Sequence, residues 1–104
     1  FDLEGSSNYA FVIIFSKNYR KISFRKKFES ILIKHGIEFR RGTSGGGNQL
    51  RQPYLKKHIK INKLDINNFP KTDIIHNFGY YIGNYPNLSK SKILKICNIL
   101  NNIN

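Results

Sequence analysis

Tyr9-Ala-Phe-Val-Ile-Ile-Phe15 is the stretch on which the fold turns. Apart from Ala10 its residues are aromatic or β-branched, and none is charged. Such side chains pack well on a pleated strand and lose rotamer freedom in a helix. With apolar residues on both sides of the two-residue period, the strand is expected to be buried on both faces. It is also the longest apolar run in the chain, seven residues. A membrane-spanning helix needs about 20, so a transmembrane segment is excluded.

Outward from this strand, Ser16 to Arg20 turns the chain, and Ser23 is expected to cap a helix from Phe24 to His35. Gly36 supplies the left-handed stop. Phe24, Phe28, Ile31 and Leu32 recur on one face, whereas Arg25, Lys26, Glu29 and Lys34 lie off it and are expected in water. Ile37-Glu-Phe-Arg-Arg41 alternates apolar and polar and predicts a second strand. A short helical turn is expected around Pro53, within 50–59, and 60–68 reads as a surface connection. Phe69 to His76 predicts a two-turn helix with Pro70 near its start, and Gly79-Tyr-Tyr-Ile-Gly83 a third strand.

Ser89 caps the last helix, with Leu88 and Ile93 placed as a hydrophobic staple. Ile93, Ile96, Cys97, Leu100 and Ile103 then repeat at helical spacing, and Cys97 reads as a small buried core residue. The order of elements predicts an α+β fold, a small, largely antiparallel sheet covered by helices. Residues 1–8 read as a linker or truncated end, and 9–104 as a single domain.

A chain of 104 residues has room for one small domain. Cys97 is the single cysteine, which excludes a disulfide scaffold. His35, His58 and His76 stand too far apart to suggest a zinc site. The chain begins at Phe1 and contains no methionine, so it is expected to be a piece of something longer. Asn, Ile and Lys contribute 13, 16 and 13 residues, the signature of an AT-rich genome. That bias inflates lysine, which supplies 13 of the 18 basic residues behind the formal charge of +12. The charge is therefore a weaker pointer to a polyanionic partner than its size suggests.

The most informative stretch for function is Gly42-Thr-Ser-Gly-Gly-Gly-Asn48, followed by Gln49-Leu-Arg-Gln-Pro53. Glycines let a backbone approach a ligand and point successive N–H groups at an anion. Asn48, Gln49, Arg51 and Gln52 add amides and a guanidinium fork, tools for a phosphate, a carboxylate or sugar hydroxyls. No Gly-Lys-Ser/Thr follows, so this is not a Walker loop. From residue types alone, a binding loop and an ordinary polar surface loop both stand. His35 has a sufficient structural role at a helix end. His58 lies in a lysine-rich stretch, and His76 is the one histidine placed near a site. No nucleophile–His–carboxylate arrangement and no carboxylate pair suited to acid–base work is evident, so the chain alone does not read as a complete active site.

Gly36-Ile-Glu-Phe-Arg-Arg-Gly42, Gly45-Gly-Gly-Asn-Gln-Leu-Arg-Gln-Pro53 and Thr72-Asp-Ile-Ile-His-Asn-Phe-Gly-Tyr-Tyr-Ile-Gly-Asn-Tyr-Pro86, taken in order, resemble the C-terminal part of the DegT/DnrJ/StrS aminotransferases. These are pyridoxal-phosphate enzymes acting on nucleotide-linked keto-sugars. The resemblance covers about residues 5–103, the C-terminal third or so of a full enzyme. Lys90 and Lys92 depart from the acidic residues usual at the start of the final helix. The resemblance implies the C-terminal small domain of a fold-type I enzyme that serves polysaccharide or lipopolysaccharide synthesis as an aminotransferase or a related sugar 3-dehydratase. It implies that Asn48 and Arg51 face the nucleotide-sugar, with Gly45, Gly46 and Gly47 allowing its approach. Tyr54, His76 and Asn84 are weaker candidates. Pyridoxal phosphate would be bound mainly by a large domain upstream, with the catalytic lysine, so no cofactor and no catalysis are expected of this chain alone. A homodimer is implied for the full-length enzyme, in the cytoplasm.

The alternative is a small basic nucleic-acid-binding module. It would set Arg25, Lys26, Lys27, Lys56, Lys57, Lys60 and Lys63 on phosphates and use tyrosines and phenylalanines for stacking. Most aromatics fall at core-facing positions and no nucleic-acid recognition signature is present, which makes this the lesser reading.

Overall fold

The computed structural model describes residues 8–55, 60 and 65–103. Within them the chain forms β1 (Ala10–Ile14), α1 (Ile22–Lys34), β2 (Phe39–Arg41), α2 (Pro70–Phe78), β3 (Gly79–Gly83) and α3 (Lys90–Asn101). Single 3-10 turns at Ser44–Gly46, Gln49–Arg51 and Pro53–Leu55 punctuate the connection after β2. The sheet runs β1-β3-β2, with β3 antiparallel to both neighbours. The α+β architecture is the expected one. Of the stretch 1–8 expected to be a linker or truncated end, residues 1–7 lie outside the described residues, as do Lys56, Lys57, His58 and Lys63.

Register assigns the faces. Ile13 pairs with Tyr80, Phe11 and Phe39 with Ile82, and Arg41 with Tyr80, so these side chains share one face. Phe28 and Leu32 of α1 close on that face against Phe15 and Tyr80, joined by Ile103 just past α3. Phe15 is the hub, with its ring 4.9 Å from Phe28 and 5.3 Å from Tyr80, centroid to centroid. Ala10, Val12, Ile14, Arg40 and Tyr81 point the other way, and no helix of the core lies there. The expectation that 9–15 is buried on both faces is therefore wrong. Val12 is 65% exposed and Ile14 48%. An uninterrupted apolar run shows that both faces can be covered, but the helices packed onto the Tyr80 face alone.

Further corrections concern the helices. α1 begins at Ile22 with Lys21 in the cap position, and Ser23 lies inside the helix. The stop is as expected: Gly36 has φ 65°, Gly36 N–H bonds the Ile33 carbonyl at 3.0 Å, and Ile37 N–H bonds that of Leu32 at 2.9 Å. This Schellman pair delays β2 until Phe39. Glu29, expected in water, has a side chain only 12% exposed. It accepts the Tyr80 hydroxyl at 2.5 Å and the Arg41 guanidinium at 2.9 and 2.6 Å. Desolvation would raise its pKa, but the hydrogen bonds from Arg41 and Tyr80 outweigh it and hold the carboxyl below its ordinary value. Burial first, and Glu29 second, push the Tyr80 hydroxyl up.

α2 keeps Pro70 at its first turn and runs two residues further than expected, to Phe78. α3 has its predicted cap: Ser89 Oγ accepts the Lys92 N–H at 3.4 Å. Cys97, however, is exposed. α3 leans on the core through Leu100 and the following Ile103, while Ile93, Leu94 and Cys97 remain open to solvent. A cavity of about 100 Å³ separates this part of α3 from Phe11 and Ile82. No helix among the described residues is long and apolar enough to cross a membrane.

Candidate functional site

The glycine-rich loop leaves β2 at Gly42 and is anchored against the start of β3, where Gly42 N–H donates to the Gly79 carbonyl at 2.7 Å. A Cβ at Gly42 would overlap the backbone carbonyl of Ile75, so only glycine lets α2 lie this close. Gly45, Gly46 and Gly47 then take φ of 72°, 104° and 58°, a left-handed run that L side chains resist. At Gly47 a Cβ would also overlap the His76 ring. Gly45 differs from both, since nothing lies within 4 Å of where its Cβ would be. The loop is thus packed on one side and open on the other.

Asn48 is the pin. It is 2% exposed, and its polar groups are committed. Its N–H donates to His76 Nδ1 at 2.9 Å, and its Nδ2 to Asp73 Oδ1 at 3.1 Å. Its Oδ1 accepts the Leu50 N–H at 3.1 Å, which caps the turn Gln49–Arg51. That turn delivers Arg51 to the same carboxylate. Arg51 Nε and Nη2 meet the two oxygens of Asp73 at 2.5 and 2.6 Å, a bidentate pair. The Arg51 hydrogen bonds, with that of Asn48, hold the Asp73 carboxyl below its ordinary range, and Asp73 in turn raises Arg51. Gln52 Nε2 donates to the Gly46 carbonyl, and the Tyr54 hydroxyl donates to Gln49 Oε1, so the loop is braced from within as well.

The structure therefore brings Gly45, Gly46, Gly47, Asn48, Arg51 and His76 into one cluster. Tyr54 stands beside it through Gln49. Asn84 is not part of it: it follows the far end of β3 and donates to the Asn8 carbonyl at 2.8 Å. Two members were not singled out from sequence. Asp73 collects both Asn48 and Arg51, and Gly42 lets α2 approach. The signal for Asp73 was its place three residues before His76 on a predicted helix, which puts both side chains on one face.

The cluster's chemistry is positioning. Because His76 Nδ1 accepts a hydrogen bond, the ring proton sits on Nε2, which is left as a donor. Asp73 Oδ1 accepts from both Asn48 and Arg51 and Oδ2 from Arg51, so its carboxylate is engaged in holding the loop. No group of three or more potential metal ligands occurs among the described residues. The concavity of about 610 Å³ elsewhere on the surface is lined by Tyr9, Ile33, Ile37, Arg40 and Tyr81, and contains none of the cluster.

Of the basic residues in the nucleic-acid reading, Arg25 is turned inward to the Asn77 carbonyl at 3.4 Å, and Lys26 and Lys60 are exposed. Phe15, Phe24, Phe28 and Tyr80 are packed ring against ring in the core, Phe15 stacked on Tyr80 and edge-on to Phe24 and Phe28. In comparisons with known proteins, no family model, no curated protein and no solved structure matches the chain.

Proposed function

We propose that this chain is the small domain of a pyridoxal-phosphate enzyme acting on nucleotide-linked keto-sugars in the cytoplasm, and that its glycine loop closes over the substrate. The observation that supports this reading best is the two-sided character of the loop. Asn48, Arg51, Asp73 and His76 lock it onto α2, while Gly45 is exposed and nothing lies within 4 Å of where its Cβ would stand. A loop with a fixed inner side and a bare outer side suits the close approach of a phosphate or sugar.

The described residues do not fit pyridoxal phosphate itself. Every described lysine is solvent-exposed, and the carboxylate of the cluster is held by Arg51. No chemical step is assigned to this chain. Its part is to orient the substrate and exclude water above a cofactor held by a large domain.

The test is made in the intact enzyme. Arg51→Lys keeps the charge and loses the planar fork that both holds Asp73 and presents the outer guanidinium edge. Nucleotide-sugar turnover is expected to fall at least about 10-fold, or ~1.4 kcal/mol, with the cofactor spectrum unchanged. Wild-type kinetics for both Arg51→Lys and Arg51→Ala would remove Arg51 from the site and the reading with it.

A further inference from the structure

The tether between the glycine loop and α2 runs through an acceptor that titrates. Asn48 is buried, and its N–H donates to His76 Nδ1 at 2.9 Å. The ring itself is half-buried, and Gly47 lies so close that a Cβ there would overlap the same nitrogen. The bond requires a neutral ring. An imidazolium carries a proton on both nitrogens, so neither a change of tautomer nor a ring flip leaves a lone pair for the Asn48 N–H. In the closed loop that N–H then becomes a buried donor facing a donor, an arrangement folded proteins avoid.

The charged groups around His76 come from three elements. Asp73, one turn back on α2, feels a charge on the ring and favours it. Arg51 reaches Asp73 from the turn Gln49–Arg51 and opposes that charge. Arg25 of α1 also opposes it, and meets α2 at the Asn77 carbonyl, 3.4 Å away and one residue further on. Charging the ring therefore acts on the loop twice. It removes the acceptor of the Asn48 N–H, and it sets a second cation beside the carboxylate that holds Arg51 and the Asn48 side chain.

We propose that His76 is a pH switch for the glycine loop, which is held on α2 while the ring is neutral and released when the ring is protonated. The sign follows from linkage. The closed loop binds the neutral ring, so closure is complete above the range in which histidine titrates and is lost as pH falls through it. The other charges of the cluster do not change over that span. Asp73 and Glu29 are both held below the ordinary carboxylate range and stay ionised, and the arginines stay charged. Release is therefore local. β3 keeps its pairing with β1 and β2, and the Glu29 carboxylate beneath it keeps Tyr80 and Arg41. The switch belongs to the loop itself, whatever ligand the loop closes over.

The test is nuclear magnetic resonance of this chain, isotope-labelled, from about pH 7.5 to about pH 5, the span in which histidine changes charge. The His76 ring nitrogens report the charge. Amide exchange, corrected for its intrinsic pH dependence, reports the loop. Protection of the Asn48 amide is expected to fall at least about 10-fold in the same step in which the ring charges, while Tyr80 and Ile82 keep theirs. His76→Gln carries an acceptor that does not titrate, and its Asn48 amide should show no such step. A ring that charges while the Asn48 amide stays protected overturns the proposal, and that measurement needs no variant. So does a ring that stays neutral down to the lower limit, or a His76→Gln chain that loses protection in the same step as the parent. Loss of protection at Tyr80 and Ile82 together with Asn48 also overturns it, because acid would then be unfolding the domain and not releasing the loop.

Discussion

The backbone N–H of Asn48 is bonded to Nδ1 of His76 at 2.9 Å, across 28 residues of sequence. That one contact ties the glycine loop to α2. It gives an otherwise entropically costly stretch, with three consecutive glycines, a single conformation. It also sets the tautomer of His76, so the loop and the ring constrain each other.

Removing the ring should therefore loosen the loop before it unfolds the domain. His76→Ala leaves the buried Asn48 N–H without its acceptor, a cost of about 1–3 kcal/mol. Hydrogen exchange is the measurement. The Asn48 and Leu50 amides should exchange at least about 10-fold faster, while those of β3 hardly change. Uniform acceleration across β3 would mean that His76 supports the whole fold and not the loop.

Glycine substitutions should separate two effects. Gly42→Ala places a methyl group against the Ile75 carbonyl and must push α2 off the sheet, so a loss of about 1–3 kcal/mol or more is expected in thermal or denaturant unfolding. Gly45→Ala meets open space and costs only its positive φ, about 1–2 kcal/mol. On the proposed reading, in which the loop closes over a nucleotide-sugar in a larger enzyme, Gly45→Ala should nonetheless weaken substrate binding more than Gly42→Ala does at temperatures where both are folded. The reverse ranking would place the substrate elsewhere.

Acid should weaken the domain through two carboxylates. Glu29 and Asp73 both have pKa values lowered in the folded state. The stability they add is complete above the ordinary carboxylate range near pH 4 and is lost as pH falls through the lower folded values. Glu29→Gln still accepts the Tyr80 hydroxyl but gives up the charge that Arg41 binds. It should lower stability at pH 7 by about 1–2 kcal/mol and flatten the acid limb of a melting-temperature profile. An unchanged slope below pH 4 would show that Glu29 is not one of the groups that acid titrates.

Truncation of the core should be the most damaging change. Leu32 is fully buried between α1 and the sheet, and Leu32→Ala is expected to cost about 2–5 kcal/mol. For a domain of marginal stability that loss is a large fraction of the total, and calorimetry should show a markedly lower melting temperature.

The sequence by itself determined the elements and most of their ends. A β-branched apolar run made β1, the four-residue repeat of Phe24, Phe28 and Leu32 made the buried face of α1, and Gly36, Pro70 and Ser89 set boundaries through backbone chemistry that is local by nature. The loop stood out for the same reason, since glycine's freedom is legible residue by residue. What lay between distant segments was decided only by tertiary structure. Periodicity could not say which face of β1 the helices would cover, and Val12 and Ile14 stayed open. Nor could it tell that Glu29 would find Tyr80 and Arg41, or that Cys97 would lie on a stretch of α3 that the sheet does not reach. The same holds for Asp73, which binds Asn48 and Arg51 from a separate helix. Each of these depends on long-range packing and on the pairing of charges across the fold, and such relations have no signature in neighbouring residues.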